Sequence, residues 1–195
     1  MVVISQRIVF SPERQETSDF LDQRLIDLML RIGASPIPVP NSLNRAKKLS
    51  DWLNRLNPKG ILLSGGNDLG EFQERDSTET ELIKYAKVNS LPLLGICRGM
   101  QMLASWAGVS LKKIPHHVKC RHPLAGEITG EVNSYHNYSI SVCPSDFIIL
   151  ARSEDREIEA IRHVKLPWEG WMWHPERESS FREIDLKRLR GLFHE

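Results

Sequence analysis

A cysteine flanked by two glycines is the sharpest chemical feature of the chain. In Leu94-Gly95-Ile96-Cys97-Arg98-Gly99-Met100-Gln101 it stands where an apolar run gives way to a helical pattern. A nucleophile at a strand-to-helix turn, with glycine two residues before and two after, is the G-x-nucleophile-x-G elbow. Side chains at 95 and 99 would collide with neighbouring backbone in so tight a turn, and the turn lifts the nucleophile out at the top of a sheet. The helix starting at residue 98 aims its free N–H groups and positive end at the sulfur, which favours thiolate over thiol. A lone cysteine is more often a small buried residue. Here strand, glycines and helix agree on a nucleophile.

A cysteine nucleophile needs a base to take its proton and return it to the leaving group. Trp173-His174-Pro175-Glu176 supplies one candidate. Residues two apart on an extended segment project to the same side, so Glu176 reaches the far ring nitrogen of His174 and orients it. Alone, the tripeptide reads equally as a surface turn; beside the elbow it reads as base and orienting acid. Gly65-Gly66-Asn67-Asp68 follows an apolar run and lies on the same rim as Cys97. The backbone N–H groups of Gly66 and Arg98 can then hold a developing oxyanion, although a simple turn explains the glycines as well. The Gly-Lys-Ser/Thr ending of a phosphate loop is missing.

The elements that must carry these residues alternate in the first half. Val2 to Phe10 reads as a strand. A helix follows with Leu21, Leu25, Leu28 and Ile32 on one face, capped by Thr17 or Ser18 and ended at Gly33. Ser35 to Val39 is a proline-rich edge strand, and a helix after Ser42 carries Ala46, Leu49, Leu53 and Leu56 before stopping at Asn57-Pro58. Gly60 to Ser64 is a central parallel strand. Thr78 and Glu81 form a capping box for a third helix, Leu91 to Ile96 is a buried strand, and Arg98 to Ala107 is a helix. This rhythm predicts an α/β fold with a doubly wound, mostly parallel central sheet flanked by helices and ligands at the strands' carboxyl ends. From about residue 114 short strands take over (131–132, 138–142, 147–151, 158–163 and 170–173). They predict the rest of that sheet plus a small antiparallel patch. A last helix starts at Ser180, capped with Glu183.

Composition narrows the function classes. The 195 residues are the length of one domain, and Lys+Arg 26 against Asp+Glu 25 leaves a net charge of +1. That balance argues against nucleic-acid or membrane partners held by bulk charge. No apolar run nears the ~20 residues of a membrane span, and the N-terminus lacks the pattern of a signal peptide. Three cysteines make no disulfide framework and point to a reducing cytoplasm.

Other candidates read as framework. His116, His117, Cys120 and His122 fit no standard zinc-ligand spacing, so no metal is expected and they are taken as structural or pocket-lining residues. Trp168, Trp171 and Trp173 read as core. Arg177, Arg182, Lys187, Arg188 and Arg190 read as the wet faces of the final helix.

The elbow, the glycine pair and the His-Pro-Glu, in that chain order, resemble class I glutamine amidotransferase-like domains in the branch of the γ-glutamyl hydrolases. The resemblance runs from Ile4-Ser5-Gln6-Arg7 to the last helix. It implies one flavodoxin-like hydrolase domain over 1–195, with no room for a synthase. It makes Cys97 the nucleophile, His174 the base, Glu176 the orienting acid, and the backbone of Gly66 and Arg98 the oxyanion hole. Gln101 matches the position that holds the α-amino and α-carboxyl end of the glutamyl group, with Gly65 lining the same pocket. Val132-Asn133-Ser134-Tyr135-His136-Asn137 resembles the Asn-Ser-x-His pocket segment. Ser134, Tyr135 and His136 then become substrate contacts, while His136 reads equally as an ordinary strand-end histidine. Ile-Leu-Leu-Ser-Gly-Gly-Asn-Asp-Leu, Leu-Leu-Gly-Ile-Cys-Arg-Gly-Met-Gln-Met-Leu and Met-Trp-His-Pro-Glu-Arg-Glu are most similar to the γ-glutamyl-CDP-amidate hydrolases, which serve phosphoramidate modification of bacterial capsular polysaccharide. The implied substrate is a small γ-glutamyl amide, nucleotide-linked in that subfamily, with no cofactor; Arg7, Arg121 and Arg177 are the pyrophosphate contacts to test. Two alternatives stay open: an amidotransferase subunit handing ammonia to a separate synthase, and a non-catalytic sensor or scaffold.

Overall fold

The apolar N-terminus builds β1 (Val2–Ser5), buried at every residue. In the computed structural model, which describes residues 1–194, that strand ends sooner than the apolar run does. Asn67 grips Ile8, accepting from its N–H at 2.8 Å and donating to its carbonyl at 3.1 Å. The chain leaves the sheet there and forms β2 (Arg7–Ser11), paired antiparallel with β3 (Glu16–Phe20) in a hairpin. Thr17 and Ser18, expected as helix caps, lie in β3. The cap of α1 (Gln23–Arg31) is Asp22, whose carboxylate accepts from the Arg24 N–H at 3.0 Å.

The proline-rich β4 (Pro36–Val39) is an edge strand, as expected. The next helix is two, α2 (Ser42–Arg45) and α3 (Leu49–Leu56), because Lys47 turns the chain with φ +55°. After β5 (Gly60–Leu63), α4 (Gln73–Asn89) begins well before the expected Thr78–Glu81 capping box. Its inward positions include Arg75 and Glu79, both fully buried, so the apolar period that marks a helix is missing from its first turns. Thr78 is interior and donates its hydroxyl to the Glu74 carbonyl at 2.9 Å. Then β6 (Leu93–Ile96) runs through Cys97 into α5 (Arg98–Trp106).

The second half contains β7 (Leu111–Lys113), β8 (Val118–Gly126), β9 (Gly130–Tyr135), β10 (Tyr138–Ile140), β11 (Phe147–Arg152), β12 (Ile158–His163) and β13 (Trp168–Trp171). A 3₁₀ turn at Pro175–Arg177 and α6 (Glu183–His194) complete the chain. The sequence reading omits β7 and β8; Pro123 and an exposed, polar face hide the latter.

Nine strands form one sheet in the order β4-β1-β5-β6-β13-β12-β11-β8-β9. The pairings from β4 to β13 are parallel and those from β13 to β9 antiparallel, so the sheet is parallel in one half and antiparallel in the other. β10 and β7 form the small antiparallel patch. Alternate residues of the parallel strands feed two cores. Ile4, Leu62, Leu94 and Ile96 pack with α1 and α6, while Val3, Ile61, Leu63 and Leu93 pack with α3, α4 and α5. From β1 the chain moves outward to β4, then crosses back to β5. The resulting topological switch point lies between the carboxyl ends of β1 and β5, beside the end of β6.

Candidate active site

Cys97 joins β6 to α5 with φ +50° and ψ −104°, a conformation that L-residues avoid unless their surroundings impose it. The imposed contacts are visible. The Cys97 N–H donates to the Trp171 carbonyl at 2.6 Å, and a Cβ at Gly95 would lie 2.5 Å from the Gly99 carbonyl. A Cβ at Gly99 would run into the Leu63 carbonyl oxygen of β5. The elbow geometry expected from the two glycines is therefore present. As the first residue of α5, Arg98 has a backbone N–H with no acceptor inside the helix.

His174 follows β13, which pairs with β6 in the register Ile96↔Trp171, so sheet pairing carries both segments to the same rim. Its Nδ1 lies 2.6 Å from Glu176 Oε1, and the residue is 1% exposed. The Asn133 side chain clamps the His174 backbone from β9: the His174 N–H donates to Oδ1 at 3.0 Å, and Nδ2 donates to the His174 carbonyl at 2.8 Å. Gly65 lies flush against the ring, since a Cβ there would sit 2.6 Å from Cε1. Burial disfavours charge on His174, but the Cys97 sulfur and then the Glu176 carboxylate outweigh it, and the imidazole is pushed up to about 9.

A cleft of about 110 Å³ opens beside the sulfur, lined by Gly66, Cys97, Arg98, Gln101, Tyr135, His136 and Arg177 among others. Gln101 donates from Nε2 to the Tyr138 carbonyl at 2.9 Å. Tyr135 meets the His174 ring edge-on at 5.8 Å, and the Arg177 guanidinium lies 4.8 Å above the Tyr135 ring. Gly65 and Glu176 stand behind His174 in an adjoining recess with Arg7 and Arg177.

Three expected contacts need correction. Ser134 is fully buried and donates its hydroxyl to the His117 carbonyl at 2.8 Å, so it braces the fold outside the cleft. His136 lines the cleft, but Nδ1 is 3.0 Å from the Tyr138 carbonyl and Nε2 faces Glu159 at 3.5 Å, so both ring nitrogens are turned to protein. Arg121 is held by Glu131 at 2.6 Å and Glu178 at 2.9 Å, away from the cleft lining.

Sequence reasoning missed a buried charge network under the site. Arg75 donates to the carbonyls of Ser64 at 2.7 Å, Gly65 at 3.0 Å and Gly66 at 2.6 Å, and pairs with Glu79 at 3.0 Å. Glu79 and Asp76 in turn hold the Arg98 side chain. One helix thus ties together both loops that present Gly66 and Arg98. Burial pushes the guanidinium groups down, to about 10 for Arg75 and about 9 for Arg98, so both stay cationic at neutral pH. The available signal was the Arg75–Glu79 pair at helical i,i+4 spacing. Charged pairs usually face water, so that spacing alone does not announce a buried network.

The family model for "Glutamine amidotransferase class-I" matches residues 17–189. The chain belongs to the class I glutamine amidotransferase family. Among curated amidotransferase-family relatives it is 33% identical over 134 residues to the γ-glutamyl-CDP-amidate hydrolase of Campylobacter jejuni, covering 66% of this chain and 67% of that protein. It is 32% identical over 158 residues to a glutamine-hydrolysing GMP synthase subunit of Pyrococcus abyssi, covering 74% and 78%. A Thermoplasma acidophilum structure described as a GMP synthase subunit matches at TM-score 0.76 and 21% identity, over 100% of this chain and 94% of that one. A Thermotoga maritima glutamine amidotransferase matches at TM-score 0.63 and 18% identity, over 99% and 82%. These two likenesses are of fold. No helix among the described residues is long and apolar enough to cross a membrane.

Proposed function

We propose that the protein hydrolyses a γ-glutamyl amide through a glutamyl thioester on Cys97. One observation carries this reading: an elbow cysteine shares a cleft with an imidazole whose Nδ1 is held 2.6 Å from the Glu176 carboxylate. The Cys97 thiolate attacks the γ-carbonyl carbon, and the new oxyanion faces the backbone N–H groups of Gly66 and Arg98. As the C–N bond breaks, the His174 imidazolium gives its proton to the departing nitrogen. The neutral imidazole then takes a proton from water, whose oxygen attacks the thioester. Glutamate leaves and the thiolate is restored. Gln101 and Tyr135 line the place of the glutamyl group, and Glu176 orients the base.

For the leaving group we favour a cytidine diphosphoramidate, the amine of a capsule-modifying pathway in a reducing cytoplasm. Similarity to the Campylobacter jejuni enzyme supports this choice. The cleft is only about 110 Å³, so a nucleotide extends past it towards Arg177 and Arg7 at its margin. The test is glutamate release from a panel of γ-glutamyl amides, including γ-glutamyl-CDP-amidate. Release should fall by about 10⁴-fold or more in Cys97→Ala, and activity surviving that substitution would falsify the mechanism.

Similarity to the Pyrococcus abyssi GMP synthase subunit favours a second reading, a glutaminase that passes ammonia to a separate synthase. Ammonia release from free glutamine that rises many-fold with one partner protein selects it over the first.

A further inference from the structure

The geometry points to a buried site for one divalent transition-metal ion, zinc by its ligand chemistry, formed by His117, His122, His136 and Glu159. We propose it independently of the hydrolase reading. Their ligand atoms all lie within 4.8 Å of one another. Glu159 Oε1 stands 3.4 Å from His117 Nδ1, 3.7 Å from His122 Nε2 and 3.5 Å from His136 Nε2. These separations exceed the roughly 2.7–3.2 Å of an N–H···O hydrogen bond. They match the edge of a tetrahedron, about 3.4 Å when metal–ligand bonds are about 2.1 Å.

The unused valences point the same way. None of those four atoms has a hydrogen-bond partner among the described residues, and Glu159 Oε2 and His122 Nδ1 also lack one. Buried polar atoms are nearly always paired, so a cluster of orphans around one small volume calls for a missing partner. The far sides of two rings are already fixed: His117 Nε2 is 2.9 Å from Asp155 Oδ2, and His136 Nδ1 donates to the Tyr138 carbonyl at 3.0 Å. Such outer partners set the tautomer and turn the remaining lone pair inward, as in metal-bound imidazoles. Three imidazoles and one carboxylate suit zinc, whereas calcium and magnesium take oxygen ligands. The four side chains are between 1% and 11% exposed, so the site is closed and its role structural.

Sequence spacing hid the site because its ligands come from four segments. His117 precedes β8, His122 lies in β8, His136 links β9 to β10, and Glu159 is in β12. His116 and Cys120, weighed with them in the sequence, stay outside the cluster. A metal here fastens the antiparallel half of the sheet to the cleft wall, where His136 sits beside the Tyr138 carbonyl that holds Gln101.

The experiment uses the full chain carrying Cys97→Ala, which removes the competing thiolate–imidazole pair. Purified without chelator, it should hold close to one zinc per chain by elemental analysis. After stripping, zinc alone should rebind with a Kd of about 1 μM or tighter and raise Tm by several degrees. Glu159→Gln and His122→Asn should each weaken binding at least about tenfold. Cobalt substituted for zinc should give the visible absorption of a four-coordinate site without thiolate charge transfer, a readout that needs no ligand variant to fold. Failure of the stripped chain to bind zinc or cobalt tighter than about 100 μM overturns the site in favour of a buried imidazolium–carboxylate cluster. Binding unchanged in both folded variants overturns it equally.

Discussion

His174 is the residue on which protonation and position meet. Its pKa, raised from 6.5 to about 9, means that the folded state holds the proton more tightly than the unfolded chain. The stabilisation is therefore fully present below about 6.5 and lost as pH rises through about 9. The same proton goes to the leaving nitrogen, so kcat/KM should show an alkaline limb near pH 9. Glu176→Gln removes one of the two negative partners. It should lower kcat by about 10²–10⁴-fold and move that limb to lower pH; a pH–rate profile with an unmoved limb would rule out this coupling. Asp185 has the same pH dependence for a different reason, because the fold favours its neutral form. Burial pushes its carboxyl up to about 6, and Oδ2 has no hydrogen-bond partner among the described residues. The fold thus loses stability as pH climbs from 3.8 through 6. Asp185→Asn should stabilise the protein by about 1–2 kcal/mol at pH 7.5 and by little at pH 4, as measured by urea unfolding.

Among the elements, α4 does most to place the site while contacting no reacting atom. Its Arg75 fork spans three successive carbonyls of the loop after β5, a geometry that an ammonium cannot copy. Arg75→Lys should cost about 2–4 kcal/mol of stability. Because the loop carries the Gly66 N–H, kcat should also fall about tenfold with KM nearly unchanged. Parallel kinetics on a folded sample check this, and an unchanged kcat would assign Arg75 to stability alone. The same helix marks where the sequence stopped being readable. Its early turns bury charge, so apolar periodicity placed its start too late. Where local chemistry decides the outcome, reading was easier: Gly95, Cys97 and Gly99 announce their turn, and the prolines of β4 announce an edge. The hairpin of β2 and β3 was invisible because a distant side chain, Asn67, bends the chain away from the sheet.

For the whole molecule, the parallel half and the antiparallel strands β11 and β12 were legible, β9 only in part, and β8 not at all. Parallel strands buried on both faces read as continuous apolar runs. β8 has one exposed face, while β9 buries the polar Asn133 and Ser134 beside Val132, so neither reads as an apolar run. A single sheet nevertheless runs from β4 to β9. Unfolding in urea should therefore be one transition, with coincident midpoints for far-UV circular dichroism and for fluorescence of the buried Trp168, Trp171 and Trp173. Two separated midpoints would divide the chain into independent halves. The pairing of β6 with β13 has a further consequence. Everything from α5's end to the start of β13 departs from one rung of a ladder and comes home to the next. That excursion can be lengthened or trimmed without altering the gap between sulfur and imidazole wherever the change leaves Asn133, the clamp on the His174 backbone, in place. Selectivity can drift on the detour while the reaction stays put.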